Sequence, residues 1–150
     1  MGLPSIDALR EASGKDLGYT GWIEIDQERV DKFADATGDH QWIHVDPERA
    51  KSGPFGGTIA HGYLTLSLLP IIIGELARVD GVRLALNYGC NKVRFPAPLP
   101  VGSRVRGNVQ VGEVTDVPGN GVQVVMKVSV EREGGDKPVC VAESVSRLYA

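Results

Sequence analysis

Apolar and polar positions alternate most cleanly over residues 122–130, where Val122, Val124, Met126, Val128 and Val130 interleave with Gln123, Lys127 and Ser129. A period of two places one set on a buried face and predicts a strand. Residues 104–114 alternate in the same way, with Val105, Val109 and Val111 facing one side. Pro118-Gly119-Asn120-Gly121 and Gly134-Gly135-Asp136 are turn sequences at hairpin spacing, and a last strand is predicted over about 138–149. Everything after about Leu84 therefore reads as strand. Upstream, the aromatic and β-branched content of 19–25 predicts one short strand. Asp26 predicts a helix cap, with Val30, Phe33 and Ala34 on one face of a helix running to about Ala36 and stopped by Thr37-Gly38. Asp46-Pro47 opens a second helix, which leaves Asp39 to Val45 as a loop, and 51–58 is a glycine-rich loop.

The run from Gly62 to Ala77 is apolar on nearly every side, yet it carries Pro70 and Glu75 and falls short of the roughly 20 apolar residues of a membrane span. Such a helix is expected to be wrapped by its own protein. Antiparallel strands that each offer one apolar face supply the wrapping. The predicted fold is α+β, a single hotdog domain over residues 1–150, with an antiparallel sheet of about five strands around one central apolar helix. A sheet this small leaves an edge and part of the helix uncovered, so a homodimer is expected.

Composition narrows the partners. Apolar residues are 42% and charged residues 23% of the 150, which suits a globular chain rather than a disordered one. A net charge of −3 provides no basic field for a nucleic-acid backbone. Cys90 and Cys140 give neither a disulfide framework nor zinc spacing, and read as two buried free thiols in a reducing compartment. The N-terminus lacks the pattern of a secretory leader, and Ile6 stands where a myristoylation signal needs Ser or Thr; a cytoplasmic protein away from the membrane is expected.

The chemistry-bearing residues cluster around the predicted loop. Asp39 lies five residues before His44, and His40 and His61 complete the histidines. By spacing alone, Asp39 and His44 are either an acid–base pair or solvated loop residues. His40, His44 and His61 could form three metal ligands, but no HExxH helix or cysteine partner accompanies them, so no metal is expected. The glycine-rich loop lacks a following GK[ST], no GxSxG elbow occurs, and Cys90 has no neighbouring base in the sequence.

Thr37-Gly38-Asp39-His40-Gln41-Trp42-Ile43-His44, followed six residues on by Ala50, resembles the signature of the MaoC-like dehydratases, the (R)-specific enoyl-CoA hydratases (hydratase 2). Phe33 fits the aromatic position upstream, and Thr58-Ile59-Ala60-His61-Gly62-Tyr63-Leu64 is similar to the family's second block, which opens the central helix. Asn87-Tyr88-Gly89 through Lys92-Val93-Arg94-Phe95-Pro96-Ala97-Pro98 to Gly102 is similar to the strand that follows. The family's Asn-Pro is Gln41-Trp42 here, in the manner of a subgroup similar to nodulation protein N. Gln keeps an amide, whereas Trp lacks the fixed φ of Pro.

The resemblance implies reversible addition of water to a trans-2-enoyl thioester of coenzyme A or acyl carrier protein, giving the (R)-3-hydroxyacyl product without a cofactor. It implies that Asp39 and His44 grip the water and that the Gly62 N–H receives the enolate oxygen. Gln41, Trp42, Leu64 and Leu68 are the expected substrate contacts, with Ile72 a further tunnel wall, and His61 is expected to make a structural hydrogen bond. Two rivals stay open: an acyl-CoA thioesterase, and a non-catalytic acyl-binding hotdog subunit.

Overall fold

In β7 (Gly121–Arg132) the predicted alternation is realised, with Val122, Val124, Met126, Val128 and Val130 all buried against the helical layer. The computed structural model describes residues 2–150. In chain order, β7 is preceded by β1 (Gly2–Leu3), α1 (Ile6–Glu11), β2 (Asp16–Tyr19), β3 (Ile23–Glu24), α2 (Gln27–Thr37), α3 (Trp42–Val45) and α4 (Pro47–Lys51). Then come α5 (Gly62–Ser67), α6 (Leu69–Ala77), β4 (Arg78–Val79), β5 (Leu84–Arg94) and β6 (Arg104–Val117), and β8 (Pro138–Tyr149) closes the chain. The main sheet runs β2-β6-β7-β8-β5, antiparallel throughout, with β3 also on β6, while β1 and β4 make a small parallel pair. The sheet packs against α5 and α6, and Leu64, Leu68, Leu69 and Ile72 share one apolar core with Val105, Val109, Val124 and Val128. This is the hotdog arrangement that the pattern predicts.

Five expectations need correction. The strand expected over 19–25 is two strands: the Thr20 N–H still donates to the Gly107 carbonyl at 2.9 Å, but the return bond from the Gly107 N–H goes to Thr20 Oγ1 at 3.0 Å, and the Gly21 N–H turns away to Glu75 Oε1 at 3.1 Å. The central helix breaks at Leu68, since Pro70 has no N–H to return to the preceding turn. Nor is it wrapped all round: Tyr63 and Ile71 are 68% and 60% exposed, which leaves one flank bare. The stretch Asp39 to Val45 is not loop throughout. It contains the single turn α3, closed by His44 N–H to Gln41 O at 3.0 Å and Asp46 N–H to Trp42 O at 3.1 Å. Finally, only Cys140 is buried, and its thiol is pushed up to about 11 by desolvation; Cys90 is exposed, because β5 is the last strand of the sheet and its side chains are uncovered. The helix α1, capped by the Ser5 hydroxyl, was not anticipated from the pattern.

Helix and sheet approach closely at Gly107. A β-carbon there would lie 2.4 Å from Ile72 Cγ2, and Ile72 has no exposed surface into which to retreat. Gly107→Ala should therefore cost about 1–3 kcal/mol, as overpacked cores do. Adding Ile72→Val should recover part of that loss. Thermal melts of the two variants against wild type check both statements; an unchanged melting temperature for Gly107→Ala would mean that helix and sheet are not in this contact.

Candidate functional site

The site is built by three chain segments that meet at one end of the central helix. The first is α2, which the Asp26 carboxylate caps and which ends at Gly38 in the left-handed region, φ 83°. That turn carries the chain away from the helix axis and brings out Asp39. Asp39 is only loosely held by its neighbours: its N–H reaches Thr37 Oγ1 at 3.4 Å, and its Oδ1 accepts from the Gln41 N–H at 3.4 Å. Its side chain is about half exposed, at 49%.

The second segment is α3, which presents His44 inward. The His44 ring is buried, and its Nδ1–H donates to the Ile59 carbonyl at 2.7 Å. That bond fixes the tautomer of the neutral ring, because a carbonyl only accepts, and leaves Nε2 as a free acceptor. The main chain of His44 is tied as firmly. Gln27 Nε2 donates to the His44 carbonyl at 2.8 Å, while Gln27 Oε1 accepts from the Thr58 hydroxyl at 2.7 Å. The Ile59 N–H returns to the Ile43 carbonyl at 3.0 Å, so the segment that orients the ring is itself paired to α3. Desolvation holds His44 below the ordinary histidine range, helped by the charge His61 would carry and opposed by the Ile59 bond and by Asp39.

The third segment is the start of α5. His61 is buried, with Nε2–H donating to the Asp39 main-chain carbonyl at 2.9 Å, and its ring stacks on His44 at 3.9 Å between centroids. Gly62 is the first residue of the helix, where the N–H has no partner within the helix. A β-carbon on Gly62 would lie 3.0 Å from the Phe95 ring, so the position admits no side chain without moving that ring.

The fold thus brings together Asp39, His44 and His61, with one carboxylate oxygen and one ring nitrogen from each histidine all within 4.8 Å of one another. It does not bring in His40, which turns outward to Asp35 at 2.9 Å and is raised by that carboxylate. The trio is poorly suited to a metal. An ion must lie near the plane of each ligating ring about 2.0–2.1 Å from nitrogen, but the His44 and His61 rings are stacked, with centroids 3.9 Å apart and 25° between their planes. What the arrangement offers is a carboxylate beside an imidazole acceptor, the grip that a single water molecule needs.

Of the other expected contacts, Gln41 is exposed beside Asp39, and the Trp42 ring lies under the Arg49 guanidinium at 4.4 Å and against Gly53. Leu64, Leu68 and Ile72 are buried in the core. The open space beside the helix is bounded by other residues: a groove of about 320 Å³ along Leu66, Ser67 and Leu69 meets one of about 310 Å³ along Ile73, Gly74 and Ala77, with Pro70, Asn87 and Ser144 common to both. Gln27, Thr58, Ile59 and the covering role of Phe95 were missed. The helix-start position of Gln27 carries no signal of a bond to a residue 17 positions on.

The MaoC-like domain family matches residues 9–134. The 3-hydroxyacyl-thioester dehydratase Z of Mycobacterium tuberculosis is 56% identical over 146 residues, 97% of each chain. Nodulation protein N of Rhizobium leguminosarum bv. viciae is 44% identical over 135 residues, 89% of this chain and 84% of that one. Among solved structures, the R-hydratase PhaJ1 from Pseudomonas aeruginosa has a TM-score of 0.70 at 24% identity, over 91% of this chain and 81% of that one, a likeness of fold.

The two surface-to-core histidines should titrate on opposite sides of the ordinary value of 6.5. In an NMR titration, His44 should have its midpoint below 6.5 and His40 above it, and Asp39→Asn should lower the His44 midpoint further. With its folded pKa depressed, His44 binds protons more readily in the unfolded chain, so its contribution to stability falls as pH drops below about 6.5. A His44 midpoint above that of His40 would contradict the burial and bonding described.

Proposed function

The chain belongs to the MaoC-like domain family, and from that premise we propose that it is a hydro-lyase: an (R)-specific enoyl-CoA hydratase, equally a 3-hydroxyacyl-thioester dehydratase in reverse. The observation that carries the reading is the pairing of the Asp39 carboxylate with a His44 ring whose Nδ1–H is committed to Ile59, 2.7 Å away. The neutral Nε2 of His44 and the Asp39 carboxylate accept the two O–H bonds of one water. As the water oxygen bonds to Cβ of the enoyl thioester, Asp39 takes its proton and the electron pair of the double bond shifts toward the thioester oxygen. The Gly62 N–H, unpaired at the helix start, donates to that oxygen. The enolate then collapses as Cα takes the proton from Asp39, so the water is divided between the two carbons. Dehydration runs the same steps backward.

Leu64 and Leu68 are taken up in the core, so the acyl chain is assigned to the open groove along Leu66, Leu69, Pro70 and Ile73. Gln41, exposed next to Asp39, is available to the pantetheine arm; Trp42 supports the glycine-rich loop beside it. No cofactor is required beyond coenzyme A or acyl carrier protein as the thioester carrier. The working unit is a homodimer. β5 ends the sheet, and Leu84, Leu86 and Tyr88 on it, with Tyr63 and Ile71 on the helix flank, are exposed. The unpaired thiols Cys90 and Cys140 suit a reducing, cytoplasmic setting. Among the described residues no helix is long and apolar enough to cross a membrane.

With crotonyl-CoA as substrate, the enoyl absorbance should disappear without release of thiol, and the product should be the (R) isomer by chiral analysis. Thiol release would favour a thioesterase, and neither change a binding subunit. Asp39→Asn and His44→Ala should each lower kcat by on the order of 10²–10⁴, and the double variant should be little worse than the worse single one, as groups serving one water do. His40→Ala should stay within about tenfold of wild type. Fully multiplicative losses, with all four variants folded by circular dichroism, would rule out a shared water.

Light scattering at micromolar concentration should give twice the mass of the chain. A clean monomer would remove the dimer from this reading and leave the chemistry untouched.

A further inference from the structure

His61 joins the three parts of the site in one side chain. Its Nε2–H to the Asp39 carbonyl, at 2.9 Å, is the shortest hydrogen bond that Asp39 makes among the described residues; the two others are 3.4 Å contacts to near neighbours. Residues 38–41 are all exposed; the Gly38 N–H on the Ala34 carbonyl, at 2.8 Å, and the His40–Asp35 bond tie them to α2, and the His61 bond ties them to the start of α5. The carboxylate Oδ2 lies 4.0 Å from the same Nε2, too far for a hydrogen bond. The bond therefore holds the main chain of Asp39 and leaves its carboxylate free. One His61 face stacks on His44 with 25° between the planes, and Phe33 packs at 4.9 Å. The His61 carbonyl accepts from Leu64 and Thr65, so the same residue starts the helix whose first member is Gly62.

We propose that His61 is a positioning residue for the hydration reaction, holding the Asp39 carboxylate and the His44 ring at working distance by its Nε2–H bond and its stacked face. The proposal rests on the reading that Asp39 and His44 grip the attacking water. Its Nδ1 is buried and has no hydrogen-bond partner among the described residues. His61 is not itself a catalytic residue, because its one donor is engaged by a main-chain carbonyl.

Two substitutions separate position from bulk. Gln carries an amide N–H about as far from the main chain as imidazole Nε2, whereas the Asn amide reaches only as far as Nδ1. His61→Asn should lower kcat on crotonyl-CoA by on the order of 10²-fold, the effect of an ångström-scale misplacement, with KM within about threefold. His61→Gln should restore most of that loss. Because His61 acts through Asp39, adding His61→Asn to Asp39→Asn should change kcat by no more than about twofold. Equal kcat for the Gln and Asn variants, or a full His61→Asn loss in the Asp39→Asn background, overturns the proposal. Should His61→Asn fail to fold, His61→Gln decides by NMR. Removing the imidazole stacked on His44 should raise the His44 midpoint, and an unmoved midpoint overturns the proposal. A wild-type chain without hydratase activity would defeat the functional reading, while the His44 midpoint in His61→Gln would still test the placement of His61.

Discussion

Ile72 presses into the space that a side chain at Gly107 would take, and this contact between helix and sheet governs the placement of the rest. A helix with Leu64, Leu68, Leu69 and Ile72 on one side has to be covered, and the buried valines of β6 and β7 cover it. Once the helix lies against the sheet, its first turn is fixed in space, and with it His61 and Gly62. The Ala60 N–H on the Leu99 carbonyl, at 2.8 Å, and the Val101 N–H on Thr58, at 2.9 Å, then hold the approach to that turn. Packing in the core thus determines where polar groups converge at its rim.

At the rim the same logic continues in hydrogen bonds. Ile59 does two jobs with one peptide: its carbonyl sets the tautomer of His44, and its N–H pairs with the turn that carries His44. Gln27 closes the frame from α2 by bonding both the His44 carbonyl and the Thr58 hydroxyl. Asp39 stands apart from this rigid frame. It is exposed and joined to the start of α5 through His61, so the site pairs a firmly bonded imidazole with a less restrained carboxylate.

The strands were legible because each offers one buried face, and a period of two survives in valine-rich β6 and β7 without knowledge of the partner. The caps at Asp26 and Asp46 were legible for the same local reason. Breaks that depend on distant groups were not. Nothing in 19–25 announces that Thr20 and Glu75 will take over part of the ladder, or that the single turn at Trp42 will close on itself. Asp39 and His44 were legible as a motif, but the exclusion of His40 and the inclusion of His61 are products of folding, set by an ion pair to Asp35 and by a bond spanning 22 residues. The exposure of Cys90 depends on where the sheet ends, which no window of sequence contains.

The order of pairings along the chain also has a kinetic meaning. β6, β7 and β8 are joined by tight turns and can zip from neighbour to neighbour, whereas Asp16 must find Gln110 and Ile23 must find Val105 across most of the chain. Loop-closure entropy delays such contacts until the local hairpins exist to receive them. Asp39, His44 and His61 all lie inside that late-closing segment. The site is therefore complete only once these long-range pairings have brought its segments to the hairpins.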